Sequence, residues 1–184
     1  MTWNDTDDQN ALIDELTSYF ENFRQNDIYE TRDDWDTYFM KIAEQVSTRS
    51  NDAQTRYGCV IVSPSKEIVA TGYNGHIRNV EKSILPNLRP EKYEWMIHSE
   101  PNALLSCARQ GKSTLGCTVY VTGVPCLQCL QFMWQAGIVE IVYLEHKANM
   151  LSEDMQTKLL LVQKLTKGKL IVRKFDDKST TDSV

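Results

Sequence analysis

His98-Ser99-Glu100 and Pro125-Cys126-Leu127-Gln128-Cys129 hold the residue types best suited to chemistry in this chain. One imidazole and two thiolates are the donors of a tetrahedral zinc site. Cys126 and Cys129 are one helical turn apart, so their sulfurs can point to the same side. Both stretches fall where a helix is expected to begin, and a helix N-terminus favours the thiolate. Three ligands, His98, Cys126 and Cys129, leave the fourth position to water, as in a catalytic rather than a structural site. A Zn²⁺ ion held this way makes hydroxide available near neutral pH. Glu100 follows His98 by two residues and can face the site without ligating it, as a proton shuttle would. A structural site needs a fourth ligand. Cys107, Cys117, His76 and His146 are the candidates, and none forms a second close pair. A redox Cys-x-x-Cys pair would not need the upstream His-x-Glu. Cys59, Cys107 and Cys117 read as small core residues.

The elements that must position these residues follow from periodicity. Apolar residues at Leu12, Leu16, Tyr19, Phe20 and Phe23 predict a packing helix over 11–25. Asp33 or Asp34 can cap a second helix, 34–50, with Trp35, Phe39, Ile42, Ala43 and Val46 as its buried stripe. Two β-type runs, 57–63 and 68–73, joined by Pro64-Ser65-Lys66, read as a hairpin. Residues 74–97 read as a long loop holding one short helix. Helices over 99–110, 126–136 and 151–166 then alternate with strands over 118–122, 138–144 and 170–174. The expected fold class is α/β: a three-layer α/β/α sandwich around a five-stranded mixed sheet. The expected organisation is an N-terminal extension with a helix (1–30), a domain over 31–176 and a disordered tail (177–184).

Composition narrows the partners. The 184 residues are 41 % hydrophobic and 24 % charged, as in an ordinary globular protein. The formal charge of −5 speaks against strong nonspecific nucleic-acid binding, so no stable nucleic-acid complex is expected. A small anionic substrate needs only one or two placed cations. No apolar run approaches membrane-spanning length, no signal-peptide pattern opens the chain, and five cysteines suit reduced thiols. The expectation is a cytoplasmic protein without a membrane partner.

The order His-x-Glu…Pro-Cys-x-x-Cys is the mark of zinc nucleobase deaminases. Over roughly 33–145 the chain resembles the dCMP deaminase family of the cytidine deaminase superfamily. The resemblance is carried by 34–50, by Gly72-Tyr73-Asn74-Gly75 at the end of the second strand, by His98-Ser99-Glu100-Pro101-Asn102-Ala103 and by the cysteine pair. It implies the cytidine deaminase-like fold, Zn²⁺ on His98, Cys126 and Cys129, and Glu100 as the catalytic proton shuttle. It further implies Asn74 at the deoxyribose and base, and Thr122 and Val124 on the base pocket. Tyr120 is a weaker candidate for packing on the base. The implied reaction is hydrolytic deamination of dCMP to dUMP and ammonia by zinc-activated hydroxide, feeding thymidylate synthesis, in a homo-oligomer with a small-molecule nucleotide substrate.

Some positions depart from the family pattern. Pro101 replaces a leucine but falls in the first helical turn, where proline is tolerated. His76-Ile77-Arg78-Asn79 stands where the family has a proline- and glycine-containing loop for dCTP, which speaks against triphosphate activation. Glu145-His146-Lys147-Ala148 stands where the family places a tyrosine. Lys147, Arg49, Arg56 and Arg78 are unranked candidates for the substrate phosphate. Alternative readings are another deaminase of the superfamily, acting on 5-substituted dCMP, a nucleoside, a base or RNA, and a catalytically silent, zinc-stabilised regulatory subunit. An RNA enzyme would want an extended basic or aromatic surface. A silent subunit would have no need of Glu100.

Overall fold

Strands β1 (Gly58–Val62), β2 (Ile68–Tyr73), β3 (Thr118–Val121), β4 (Glu140–Tyr143) and β5 (Ile171–Lys174) form one mixed sheet in the order β2-β1-β3-β4-β5. β1 runs antiparallel to both β2 and β3, whereas β3, β4 and β5 are mutually parallel. The computed structural model describes residues 6–21, 32–81, 84–145 and 151–176.

Every residue of β1 is buried, because helices cover both faces of the sheet. Alternation sorts the strand residues. Cys59, Ile61, Val119, Val121 and Ile141 join the core under α3 (Ser99–Gln110), α4 (Leu127–Gln135) and α5 (Glu153–Leu165). Val60, Val62, Tyr120 and Val142 join a second core under α2 (Trp35–Ser47). The result is the expected three-layer α/β/α sandwich.

Asp34, not Asp33, caps α2: its Oδ1 accepts from Thr37 N at 2.8 Å. The buried face of α2 is Thr37, Phe39, Met40 and Ala43, with Ile42 and Val46 half-buried. Trp35 corrects the expected stripe. As the first helical residue it lies a full turn before Phe39, stacks on that ring at 5.5 Å, and remains 53 % exposed. Two glycines let helix backbone touch strand backbone. A Cβ on Gly58 would stand 1.9 Å from Ala43 O, and one on Gly72 would stand 2.3 Å from Ser99 O and 2.4 Å from Ala103 N. Gly72 thus lets the first turn of α3 lie directly on β2.

The chain divides into two compact units, Met1–Asp33 and Asp34–Val184. Within the first, α1 (Thr6–Glu21) overlaps the helix expected over 11–25 but begins five residues earlier, and 22–25 lie outside the described residues. Its Leu12, Leu16, Tyr19 and Phe20 are exposed, which corrects the expectation of a buried stripe. Phe23, His146, Lys147 and the tail 177–184 lie outside the described residues.

Residues 74–81 and 84–97 belong to the expected long loop. Paired backbone hydrogen bonds between Gly75 and Ile97, at 3.0 and 2.9 Å, close its neck. A 3₁₀ turn, Glu91–Glu94, lies within it. The loop is braced internally by His76 Nε2 donating to Pro86 O (3.1 Å), and it folds back on 50–57 through Asn87 Nδ2 donating to Asn51 O (2.8 Å) and through Lys92 (described below).

Candidate active site

His98 is the N-cap residue of α3 and Cys126 the N-cap residue of α4. Neither side chain makes a capping hydrogen bond, so both are free to turn toward a shared point. Cys129 is the third residue of α4 and approaches the same point from within its first turn. Two helix N-termini therefore converge on one cluster, and their dipoles favour anionic sulfur there.

His98 Nδ1 lies 3.7 Å from Cys126 Sγ and 3.4 Å from Cys129 Sγ. Arms of about 2.1 Å to nitrogen and 2.3 Å to sulfur in a tetrahedron put neighbouring donors about 3.5–3.8 Å apart. The donor set thus has the spacing of a zinc site. Its protonation chemistry agrees. The hydrogen bond from Cys129, followed by His98, pulls the Cys126 thiol down to about 4. The same bond, then burial and the charge of Glu100, push Cys129 up. His98 is raised, first by its bond to Cys126. Without a metal, the two sulfurs compete for one site of negative charge beside the imidazole; a divalent cation would favour both as thiolates. No other such group of donors occurs among the described residues. Cys59, Cys107 and Cys117 are buried core thiols, as expected.

Glu100, the second residue of α3, is 5 % exposed. Its carboxylate presses on Cys129 by charge and by a hydrogen bond. Ser99, fully buried, donates its hydroxyl to Glu100 Oε2 at 2.9 Å. Pro101 sits in the first turn, where the missing N–H costs no helical bond; the ladder opens with Asn102 N donating to His98 O.

A cavity of about 240 Å³ opens onto this cluster. Its wall includes His98, Glu100 and Cys126 from the centre, Val121, Gly123 and Val124 from the end of β3, Asp52, Thr55 and Tyr57 before β1, Asn74 after β2, and Arg89, Lys92, Tyr93 and Met96 from the long loop. Val124 lines this cavity. Thr122 is a correction: it is not on this wall. Thr122 is buried just beyond the end of β3. Its Oγ1 there accepts from Gly58 N at 2.9 Å. Tyr120 is on the α2 side, donating to Asp36 Oδ1 at 2.9 Å, and does not reach the cavity.

Asn74 lines the cavity, but its amide is largely spoken for. Oδ1 accepts from Tyr57 N (2.7 Å), and Nδ2 donates to Asp52 Oδ2 (3.1 Å) and Thr55 O (2.9 Å). Only the second lone pair of Oδ1 remains for a ligand. Arg49, Arg56 and Arg78 are not on the wall; Arg89, which sequence reasoning missed, is. Lys92, Asp52 and Tyr57 were missed as well. Burial holds the Tyr57 phenol above its usual range, with Glu100, Asp52 and Tyr93 adding to the effect and Arg89 opposing it.

The model of the cytidine and deoxycytidylate deaminase zinc-binding region matches residues 33–145. Human deoxycytidylate deaminase is 33 % identical over 138 residues, which span 70 % of this chain and 76 % of that protein. The deoxycytidylate deaminase of Saccharomyces cerevisiae is 38 % identical over 120 residues, 61 % of this chain and 38 % of that one. A dCMP deaminase from the cyanophage S-TIM5, solved in complex with dCMP and dUMP, has a TM-score of 0.61 at 25 % identity, over 75 % of this chain and 94 % of that one. The matched span takes in the whole donor cluster and strands β1 to β4, and the chain belongs to the cytidine and deoxycytidylate deaminase zinc-binding family.

Proposed function

We propose that this protein deaminates dCMP hydrolytically to dUMP and ammonia. The observation that carries the reading is Glu100 lying against the His98–Cys126–Cys129 cluster at the wall of one nucleotide-sized cavity. The similarity to deoxycytidylate deaminases supports dCMP as the substrate. His98 Nδ1 and the sulfurs of Cys126 and Cys129 would hold Zn²⁺, which when bound supplies Lewis-acid activation of water.

Glu100 takes the proton of the attacking water and hands it to N3 of the cytosine. With the water oxygen now bonded to C4, Glu100 moves the proton of that C4 hydroxyl to the amino group, and the C4–N bond breaks as the C4 carbonyl forms and ammonia leaves. The Ser99 hydroxyl holds one oxygen of that carboxylate, leaving the other for proton transfer. Val121 and Val124 give the base an apolar wall. Asn74 Oδ1 accepts from a deoxyribose hydroxyl, the one contact its other bonds leave open. The formal charge of −5 supports free nucleotide over polynucleotide. No helix among the described residues is long and apolar enough to cross a membrane. The same reading has the protein working as a cytoplasmic homo-oligomer.

The test is ammonia release from dCMP, deoxycytidine, dCTP, guanine and an RNA hairpin. The expected result is fastest turnover of dCMP, abolished in Glu100→Ala with zinc retained. Turnover of RNA with none of dCMP would overturn the reading. Zinc-loaded wild type inert toward every nucleotide would favour a silent regulatory subunit.

A further inference from the structure

Two long cationic side chains, Arg89 and Lys92, reach the wall of the cavity. Lys92 is committed: its Nζ lies 2.6 and 2.7 Å from the two oxygens of Asp52, with both side chains 3 % exposed. That pair is neutral as a unit, and its two bonds leave Lys92 at most one N–H donor. Arg89 pairs with no carboxylate among the described residues.

Arg89 is nonetheless held in place. Its backbone N–H donates to Gln54 Oε1 at 3.1 Å, its Nη2 reaches Thr55 Oγ1 at 3.3 Å, and its guanidinium lies 5.8 Å from the centre of the Tyr93 ring. One edge and one face are thereby fixed, and most of the five N–H donors remain unspent. A planar fork, pre-positioned and lacking an anion, matches the geometry of a phosphate group.

We propose that Arg89 binds the 5′-phosphate of the substrate and makes the enzyme select the nucleotide over the nucleoside; this rests on the reaction proposed above. Arg89 and Glu100 address the same volume. The Tyr57 phenol, on the same wall, feels the charge of both. The seat of Arg89 is also tied to the sugar side of the cavity, because Thr55, whose hydroxyl it contacts, accepts from Asn74 Nδ2 through its carbonyl. Pairing of Asp52 with Lys92 removes the one carboxylate on this part of the wall that would repel a phosphate.

The test is kcat/KM for dCMP and for deoxycytidine in wild type, Arg89→Ala, Arg89→Lys and, as a control off the cavity wall, Arg78→Ala. Zinc content verifies that each variant is folded. Loss of one or two charge-assisted hydrogen bonds predicts that Arg89→Ala lowers the dCMP-to-deoxycytidine ratio about 10–100-fold, mainly through KM for dCMP. Arg89→Lys recovers part of the ratio by keeping the charge without the fork, and Arg78→Ala leaves it unmoved. A ratio within about 2-fold of wild type in Arg89→Ala, or equal losses on both substrates, overturns the assignment while the proposed reaction stands. Wild type that turns over deoxycytidine but no dCMP overturns the reaction as well.

Discussion

Lys92 Nζ sits between the two carboxylate oxygens of Asp52, 40 residues earlier in the chain, at 2.6 and 2.7 Å. Burial pushes the Asp52 carboxyl up, but the Lys92 bond and the N–H groups of Thr55 and Gln54 outweigh it, and the net shift is downward. This contact fastens the 3₁₀ turn of the long loop to the segment before β1, and both carry cavity residues. Removing one partner strands a buried charge. Lys92→Ala is expected to cost about 3–5 kcal/mol in denaturant unfolding. Lys92→Ala with Asp52→Ala should cost less than the two single losses added. Strict additivity would contradict the pairing.

Gly72 sets the height of α3 above β2. A methyl there meets backbone, Ser99 O and Ala103 N, rather than a side chain that could swing away. Gly72→Ala should cost about 1–3 kcal/mol by overpacking. Because α3 carries His98 and Glu100, zinc affinity should fall too, as read by competition with a chelator. Unchanged zinc affinity would show that the helix start absorbs the shift without moving the donors.

The α2 side supplies a pH-dependent contribution far from the metal donors. Arg173 donates Nη1 to Asp36 Oδ2 at 2.6 Å and Nη2 to Oδ1 at 3.0 Å, and Tyr120 donates to the same carboxylate. Burial raises the Asp36 carboxyl, but Arg173 and Tyr120 bring it below its usual value. A depressed carboxyl stabilises the fold above the unfolded value, about pH 4, and the contribution disappears as pH falls through the lower folded value. Asp36→Asn should cost about 1 kcal/mol at pH 7, since solvent screens this half-exposed pair. Its unfolding free energy should also decline less steeply than that of wild type below about pH 4. Parallel acid limbs in the two proteins would contradict the linkage.

Much of this molecule is legible in its sequence for local reasons. His98, Glu100, Cys126 and Cys129 are short-range patterns at helix starts, and two such starts above one sheet bring them together. Gly111 ends α3 where expected, and β-branched runs mark β1, β3 and β4. The far side of the cavity is another matter. Asp52, Tyr57, Arg89, Lys92 and Tyr93 come from two stretches without periodicity, brought together by Asn87–Asn51 and Lys92–Asp52 contacts that no window reveals. The one local hint was Asp52, whose Oδ1 accepts from Gln54 N and Thr55 N in an Asx-type turn. Thr122 gave no local signal that its hydroxyl is taken by Gly58 N rather than left to the cavity.

The central claim is that a zinc ion on His98, Cys126 and Cys129 drives dCMP deamination. The most direct measurement is dUMP formation from dCMP by one preparation as isolated, after removal of metal by chelation, and after return of one equivalent of Zn²⁺. The expected sequence is activity, its loss, and its recovery in proportion to zinc bound. Turnover that survives complete removal of the metal, or a zinc-loaded protein that forms no dUMP, would contradict it.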